Sequence, residues 1–144
     1  MSNEDVLGRV MTSPVKTINA RETVGTAAEI MVNNGIGAVI VVDGKTPVGI
    51  ITERDIVKQV VRASDALKKP VKQQLSKPLV TGTSNTTIQE GFETMLKNRI
   101  RRLPVVDKDK LVGIVTDKDL MRWVLRVSYE PNIPPHIKAV LESR

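Results

Sequence analysis

A nine-residue stretch occurs twice in this chain, as Val48-Gly49-Ile50-Ile51-Thr52-Glu53-Arg54-Asp55-Ile56 and as Val112-Gly113-Ile114-Val115-Thr116-Asp117-Lys118-Asp119-Leu120, 64 positions apart. Duplication constrains the fold more than any composition figure, because the local structure adopted by one copy is expected of the other. Each copy reads as an apolar β-rich run, a hydroxyl residue, an acidic residue three positions on, and then apolar residues at helical spacing. That pattern predicts a strand running directly into a capped helix. The same register continues without a gap from Met11 and Leu75 to Arg62 and Arg126. Pro14 meets Pro78, Thr23 meets Thr87, Met31 meets Met95, Ile36 meets Ile100, and Val41-Val42-Asp43 meets Val105-Val106-Asp107.

The pattern within one unit predicts its elements in order. Thr23 caps a helix carrying Val24, Ala27, Ala28, Met31 and Val32 on one face, with Asn34-Gly35 as its left-handed stop. Ile36 to Val42 and Val48 to Ile51 are β-branched runs joined by a tight connection, and Ile56, Val57, Val60 and Val61 mark the closing helix. Val15 to Ile18 reads as a short extended segment before the first of these helices. In the second copy Thr87-Ile88-Gln89-Glu90 is a full capping box. The expected fold class is therefore α+β, two β-α-β-β-α units packed with approximate two-fold symmetry, since a unit of this size leaves an apolar face that it cannot cover alone.

The expected divisions are residues 1–63 for the first unit with an N-terminal helix, 64–74 for a linker, 75–127 for the second unit, and 128–144 for a C-terminal arm and short helix. Asn3 is a candidate cap for the N-terminal helix, whose apolar positions are Val6, Leu7, Val10 and Met11 and which is expected to stop at Pro14. Asp65, Lys68, Lys69, Pro70 and Lys72 give the linker a surface character. The arm carries Pro131, Pro134 and Pro135, then Ile137, Val140 and Leu141 at helical spacing. That stripe must dock on this chain or, as the favoured expectation, on a second copy.

A strand-to-helix junction can bind an anion through the first backbone N–H groups of the helix, which have no partner inside it. Arg54 and Lys118 fall in the first turn after Thr52 and Thr116, where a cation is unfavourable for the helix and an external anion would account for it. The alternative needs nothing outside the chain: Thr-x-x-Asp is itself a capping pattern, in which hydroxyl and carboxylate take up those N–H groups. Two related junctions flanking a seam would line a concave pocket.

Composition excludes several classes. No cysteine is present, and His136 is the one histidine, which rules out thiolate or histidine-rich metal sites within one chain and cysteine nucleophiles. His136, beside two prolines and without an identifiable partner, reads as a surface residue. Nothing resembles a nucleophile-base pair, so the chain is not expected to be an enzyme and no cofactor is implied. No apolar run approaches the roughly 20 residues of a membrane span, and the acidic N-terminus is unlike a signal peptide, so a cytoplasmic location is expected. The net charge of +6 lies entirely beyond residue 62, where 15 basic residues face 9 acidic ones. A basic half suggests an anionic partner, although a solvated surface is the commoner explanation. Aromatic residues at 2% argue against a stacking platform for single-stranded nucleic acid.

The paired Val-Gly-Ile-Ile/Val-Thr-x-x-Asp motifs, each preceded by a Val-Val-Asp turn and a Thr-capped helix, resemble the cystathionine β-synthase (CBS) domain family over about residues 7 to 126. Two tandem copies look like the family's Bateman module. The resemblance implies a regulatory module whose clefts between repeats bind adenosine-containing ligands such as AMP, ADP, ATP or S-adenosylmethionine. By that analogy Asp55 and Asp119 take ribose hydroxyls, while Thr52 and Thr116 with the helix starts take phosphate. Lys16, Thr17 and Ile18, Val80, Thr81 and Gly82, Gly37, Ala38 and Val39, and Arg102, Leu103 and Pro104 would offer backbone groups and apolar walls to adenine. Arg101 and Arg102 would suit a phosphate. The first copy has Gly37-Ala38 at that point, and Ile40 in place of Pro104. Its position therefore lacks a cation, unless a basic residue reaches it across the seam. The expected partners are an adenosine-containing small molecule, a second copy in a homodimer, and an effector polypeptide that reads the ligand state. A basic nucleic-acid-associated protein and a dimerisation scaffold with degenerate pockets are the alternatives.

Overall fold

The computed structural model describes residues 5–75, 78–129 and 134–142. Its elements run α1 (Leu7–Val10), β1 (Thr17–Asn19), α2 (Val24–Asn34), β2 (Ala38–Asp43), β3 (Thr46–Thr52) and α3 (Glu53–Arg62). After two single-turn 3₁₀ segments at Ala66–Lys68 and Val71–Gln74 come α4 (Ile88–Asn98), β4 (Arg102–Asp107), β5 (Lys110–Thr116), α5 (Asp117–Tyr129) and α6 (Pro135–Glu142). This is the expected α+β fold of two β-α-β-β-α-like units.

The chemistry that starts and stops the helices repeats. Thr23 Oγ1 accepts the Thr26 N–H at 3.1 Å to begin α2, and Thr87 and Glu90 bond reciprocally to begin α4. Val24, Ala27 and Met31 form the buried face of α2, and Ile88, Gly91 and Met95 that of α4. Gly35 ends α2 at φ 60, a left-handed conformation that glycine adopts without a steric penalty. Arg99 ends α4 at φ 54 in the equivalent place, where its Cβ is costly.

Each unit also contains an antiparallel hairpin with the same irregularity. Val41 faces Gly49 and Val42 faces Pro47, which leaves Val48 as an extra residue. Val105 faces Gly113 and Val106 faces Leu111, which leaves Val112. Such a bulge bends and twists its strand, and its recurrence gives both sheets the same curvature.

The units differ at their first strand. β1 runs parallel to β2, and Lys16 O accepts the Ile40 N–H at 3.3 Å. The second unit keeps only a bridge from Gly82 to Val105, so its sheet has two strands. Pro104 occupies the place of Ile40 and has no N–H to donate, so the ladder cannot extend past that residue. What survives is the Gly82 N–H to Pro104 O and the Val106 N–H to Gly82 O, each 2.9 Å.

Two apolar clusters form the core. One gathers Ile18, Val24, Ala27, Met31, Val39, Val41, Ile51 and Val71; the other gathers Leu7, Ile88, Met95, Leu103, Val105, Val115 and Leu120. Leu7 opens the first repeat in sequence yet lies in the core of the second, while Val71, its repeat mate, opens the second and lies in the core of the first. The backbone repeats the exchange. Leu7 N–H donates to Thr86 O, Gly8 N–H to Ser84 O, and Ile88 N–H to Asp5 O. One repeat away, Val71 N–H donates to Glu22 O, Lys72 N–H to Ala20 O, and Val24 N–H to Lys69 O. Met11 covers Gly113, and Leu75 covers Gly49. A Cβ on either glycine would fall within 3 Å of the covering side chain, so both positions need the bare backbone.

Three expectations are corrected by this packing. The N-terminal helix does not complete the first unit; its one fully buried side chain, Leu7, belongs to the second. The linker is a surface segment only in part, because Ala66 and Val71 are buried while Asp65, Lys68 and Lys72 are exposed. Helix α1 stops at Met11, ahead of Pro14, and its cap is Val6, which makes no side-chain cap bond. Asn3, Pro131 and the side chains of Ile137, Val140 and Leu141 lie outside the described residues. His136 is exposed. Among the described residues no helix is long and apolar enough to cross a membrane.

Candidate functional site

Strand pairing gathers the expected site residues at one end of each sheet. Ala38 at the start of β2 faces Thr52 at the end of β3, and Thr17 at the start of β1 faces Ile40. In the second unit Arg102 faces Thr116. The helix starts are then stapled to the neighbouring loops: Glu53 N–H donates to Gly37 O at 3.0 Å, and Asp117 N–H to Arg101 O at 2.9 Å.

The capping pattern is realised at both junctions. Thr52 N–H donates to Asp55 Oδ2 at 2.9 Å, and Asp55 N–H to Thr52 Oγ1 at 3.2 Å. Thr116 N–H and Asp119 Oδ2 stand at 2.9 Å, and Asp119 N–H and Thr116 Oγ1 at 3.2 Å. Thr52 Oγ1 also donates to Asp55 Oδ2 at 2.9 Å. The expectation of helix starts with free amides is thereby corrected. Two N–H groups at each start go to the Thr-Asp box and a third to the neighbouring loop carbonyl. The reason is energetic: an acceptor supplied by the chain satisfies an orphan donor permanently, at no cost in association.

What the junctions present instead is side-chain chemistry. Asp55 and Asp119 are partly exposed, with carboxylates held in place by their own helices. Arg54 and Lys118 are exposed in the first turns. Arg101 lies 4.0 Å from Asp117 with both side chains largely in solvent, a pair of little energetic weight. Arg102 behaves differently. A Cβ placed on Gly37 would stand 2.6 Å from Arg102 Nη2 and 3.6 Å from Glu53 Cδ, so this guanidinium reaches from the second unit to the helix start of the first. A side chain at position 37 would push the end of this arginine aside. β3 and β5 pack across the same seam.

Several residues named from sequence contribute no side chain here. Ile18, Val39 and Leu103 are at most 4% exposed, in the cores, and Gly82 and Pro104 are buried as well. Lys16, Thr17 and Thr81 are exposed, while Gly37, Ala38 and Val80 are partly so. Arg122 was missed by motif reading: its Nη1 lies 3.5 Å from Asp119 Oδ1. Its spacing of three residues after an aspartate in a helix was the available signal. Among the described residues no group of three or more His, Asp or Glu side chains could hold a metal ion.

Residues 7–62 and 71–126 each match the family model of the CBS domain. The chain is 36% identical over 110 residues to the CBS domain-containing protein YhcV of Bacillus subtilis, an alignment covering 76% of this chain and 79% of that protein. It superposes with a TM-score of 0.75 and 29% identity on the CBS-domain containing protein ATU1752 from Agrobacterium tumefaciens, covering 83% of this chain and 98% of that one. A TM-score of 0.75 with 27% identity, over 83% of this chain and 94% of the other, relates it to the CBS domain pair of protein MJ0100, solved in complex with 5'-methylthioadenosine and S-adenosyl-L-methionine. With two matched repeats, an exchanged core and a capped Thr-x-x-Asp at each junction, the chain belongs to the CBS-domain family as a tandem pair.

Proposed function

We propose that this chain is a regulatory sensor of adenosine-containing ligands, an AMP-, ADP- or ATP-type module without catalytic activity of its own. The observation that carries the reading is a pair of partly exposed carboxylates, Asp55 and Asp119, each fixed by its own helix cap beside the seam between repeats. A carboxylate so fixed accepts hydrogen bonds from a vicinal diol without first losing side-chain freedom. Arg54, Lys118, Arg101 and Arg102 supply cations for a phosphate, and Arg102 supplies one to the first repeat from the second. The capped helix starts act as mounts for these side chains, not as the phosphate cradle. Lys16, Thr17, Gly37, Ala38, Val80 and Thr81 would border the base. The bound adenosyl ligands of the MJ0100 pair agree with this ligand class.

A ligand wedged at the seam favours one relative packing of the repeats, and the output follows from its differential affinity for the two arrangements. The reader of that output is an effector polypeptide or a second copy. Support for a second copy comes from apolar side chains exposed at equivalent positions of both repeats. Val32 and Leu96 are 81% and 77% exposed, and Val57 and Met121 are 62% and 52%. A thermal-shift panel of AMP, ADP, ATP and S-adenosylmethionine tests the reading. A ligand at 100 times its dissociation constant raises stability by about 2.7 kcal/mol. The double variant Asp55→Ala, Asp119→Ala has a lower baseline through loss of both caps, so the ligand-induced increment is the quantity read. An increment equal to that of the wild type would show that ribose is not held by these groups.

A further inference from the structure

Asp55 and Asp119 are equivalent by the repeat, yet their surroundings are not. Each commits Oδ2 to the amide of its own capping threonine. The other oxygen is where they part. Asp119 Oδ1 lies 3.5 Å from Arg122 Nη1, one turn along α5, in a pair whose side chains are 12% and 27% exposed. One repeat earlier the place of Arg122 is taken by Lys58, which is exposed. Among the described residues Asp55 Oδ1 accepts no hydrogen bond and joins no ion pair.

A vicinal diol donates from two hydroxyls and needs the carboxylate oxygen that the cap leaves over. At Asp55 that oxygen is available. At Asp119 a partly buried guanidinium already stands 3.5 Å from it as the opposite charge of an ion pair, and a neutral hydroxyl must compete with that charge. The arginine that crosses the seam sharpens the difference. Arg102 reaches Gly37 at the first helix start, whereas the residue one repeat before Arg102 is Ala38, which has no charge to offer the second.

Resting on the sensor reading above, we propose that the two ligand positions are unequal: the module takes a single adenosine-containing ligand at the Asp55 junction, and Arg122 closes the Asp119 junction as a built-in occupant. Arg122 is then the residue that sets the stoichiometry of the module, and Lys58 the residue that leaves the first position open.

Isothermal titration of the full chain with AMP, ATP and S-adenosylmethionine in turn tests this. For whichever probe binds, the wild type is expected to take one equivalent. Asp55→Asn should weaken it by roughly ten- to a hundred-fold, the usual contribution of a hydrogen bond to a charged acceptor. Arg122→Gln should raise the stoichiometry to two while keeping the first position, which also reports that the variant is folded. Adding Asp119→Asn to Arg122→Gln should return it to one. Lys58→Arg should install the same block at the first position and weaken binding there. Two equivalents in the wild type, or one in Arg122→Gln, would overturn the inequality and leave the sensor reading intact. Failure of all three probes to bind both the wild type and Arg122→Gln would instead remove the sensor reading, and the inequality with it.

Discussion

Truncating Leu7 should damage the repeat that lies farther from it in sequence. Leu7 is fully buried, and its two methyl groups lie over bare backbone of the second unit. Leu7 Cδ1 stands 2.9 Å from where a Cβ on Gly82 would be, and Cδ2 is 2.9 Å from the same point on Gly91. Glycines have no side chain with which to fill a void, so the space left by Leu7→Ala cannot collapse from that side. Leucine-to-alanine changes in cores cost about 2.7–5.0 kcal/mol, and an unrelaxed cavity places this one near 4 kcal/mol. At roughly 2–4 °C per kcal/mol for a chain of this size, the midpoint should fall by about 8–16 °C. Val71→Ala, the equivalent change in the other core, removes two methyl groups and should cost about 2 kcal/mol. Urea unfolding gives the totals, and amide exchange by mass spectrometry gives the location. Leu7→Ala should lose most protection in peptides from 82–126, and Val71→Ala in peptides from 17–62. A loss below 1 kcal/mol for Leu7→Ala, or one confined to 17–62, would refute the exchanged packing.

Arg99→Gly should stabilise the chain by about 0.5–1 kcal/mol in urea unfolding, because relief of a left-handed arginine outweighs the added freedom of the unfolded chain. Pro104→Ile should let residue 104 donate to Val80 O, extending the bridge at Gly82; one added hydrogen bond is worth about 1 kcal/mol, and the new amide should be protected from exchange. Hydrogen bonds from Ser84, through its side chain and its backbone N–H, hold the Asp107 carboxyl below its ordinary value of 3.8. Its contribution is thus complete above that ordinary value and is lost as pH falls through the lower folded one. The midpoint difference between wild type and Asp107→Asn should accordingly be constant near neutrality and shrink below about pH 4.

The duplicated pattern made the fold legible because its signals are local. Thr23, Thr87 and Glu90 cap where the spacing predicts, and the β-branched runs pair as hairpins. What stayed hidden depends on the partner of a residue, not on its own type. Leu7 and Val71 sit at equivalent points of an apolar pattern, but no periodicity reveals that each enters the opposite core. The shortened first strand of the second unit follows from one missing N–H at Pro104, whose consequence depends on knowing that residue 80 would be its acceptor. At the site, Thr-x-x-Asp supported two readings, and the one needing no outside partner holds for the amides of Thr52, Asp55, Thr116 and Asp119. Arg102 crossing to Gly37, and Arg122 against Asp119, depend on side-chain direction, which a linear motif does not carry.

Because the segments around Leu7 and Val71 are each wedged into the opposite half, the halves behave less like beads on a string than like two plates laced together at both ends. Tilting one plate about the shared seam must pull on both laces, so a small displacement at the Asp55 corner is felt in two interiors at once. Such lacing favours concerted movement of the whole body over independent rattling of its parts.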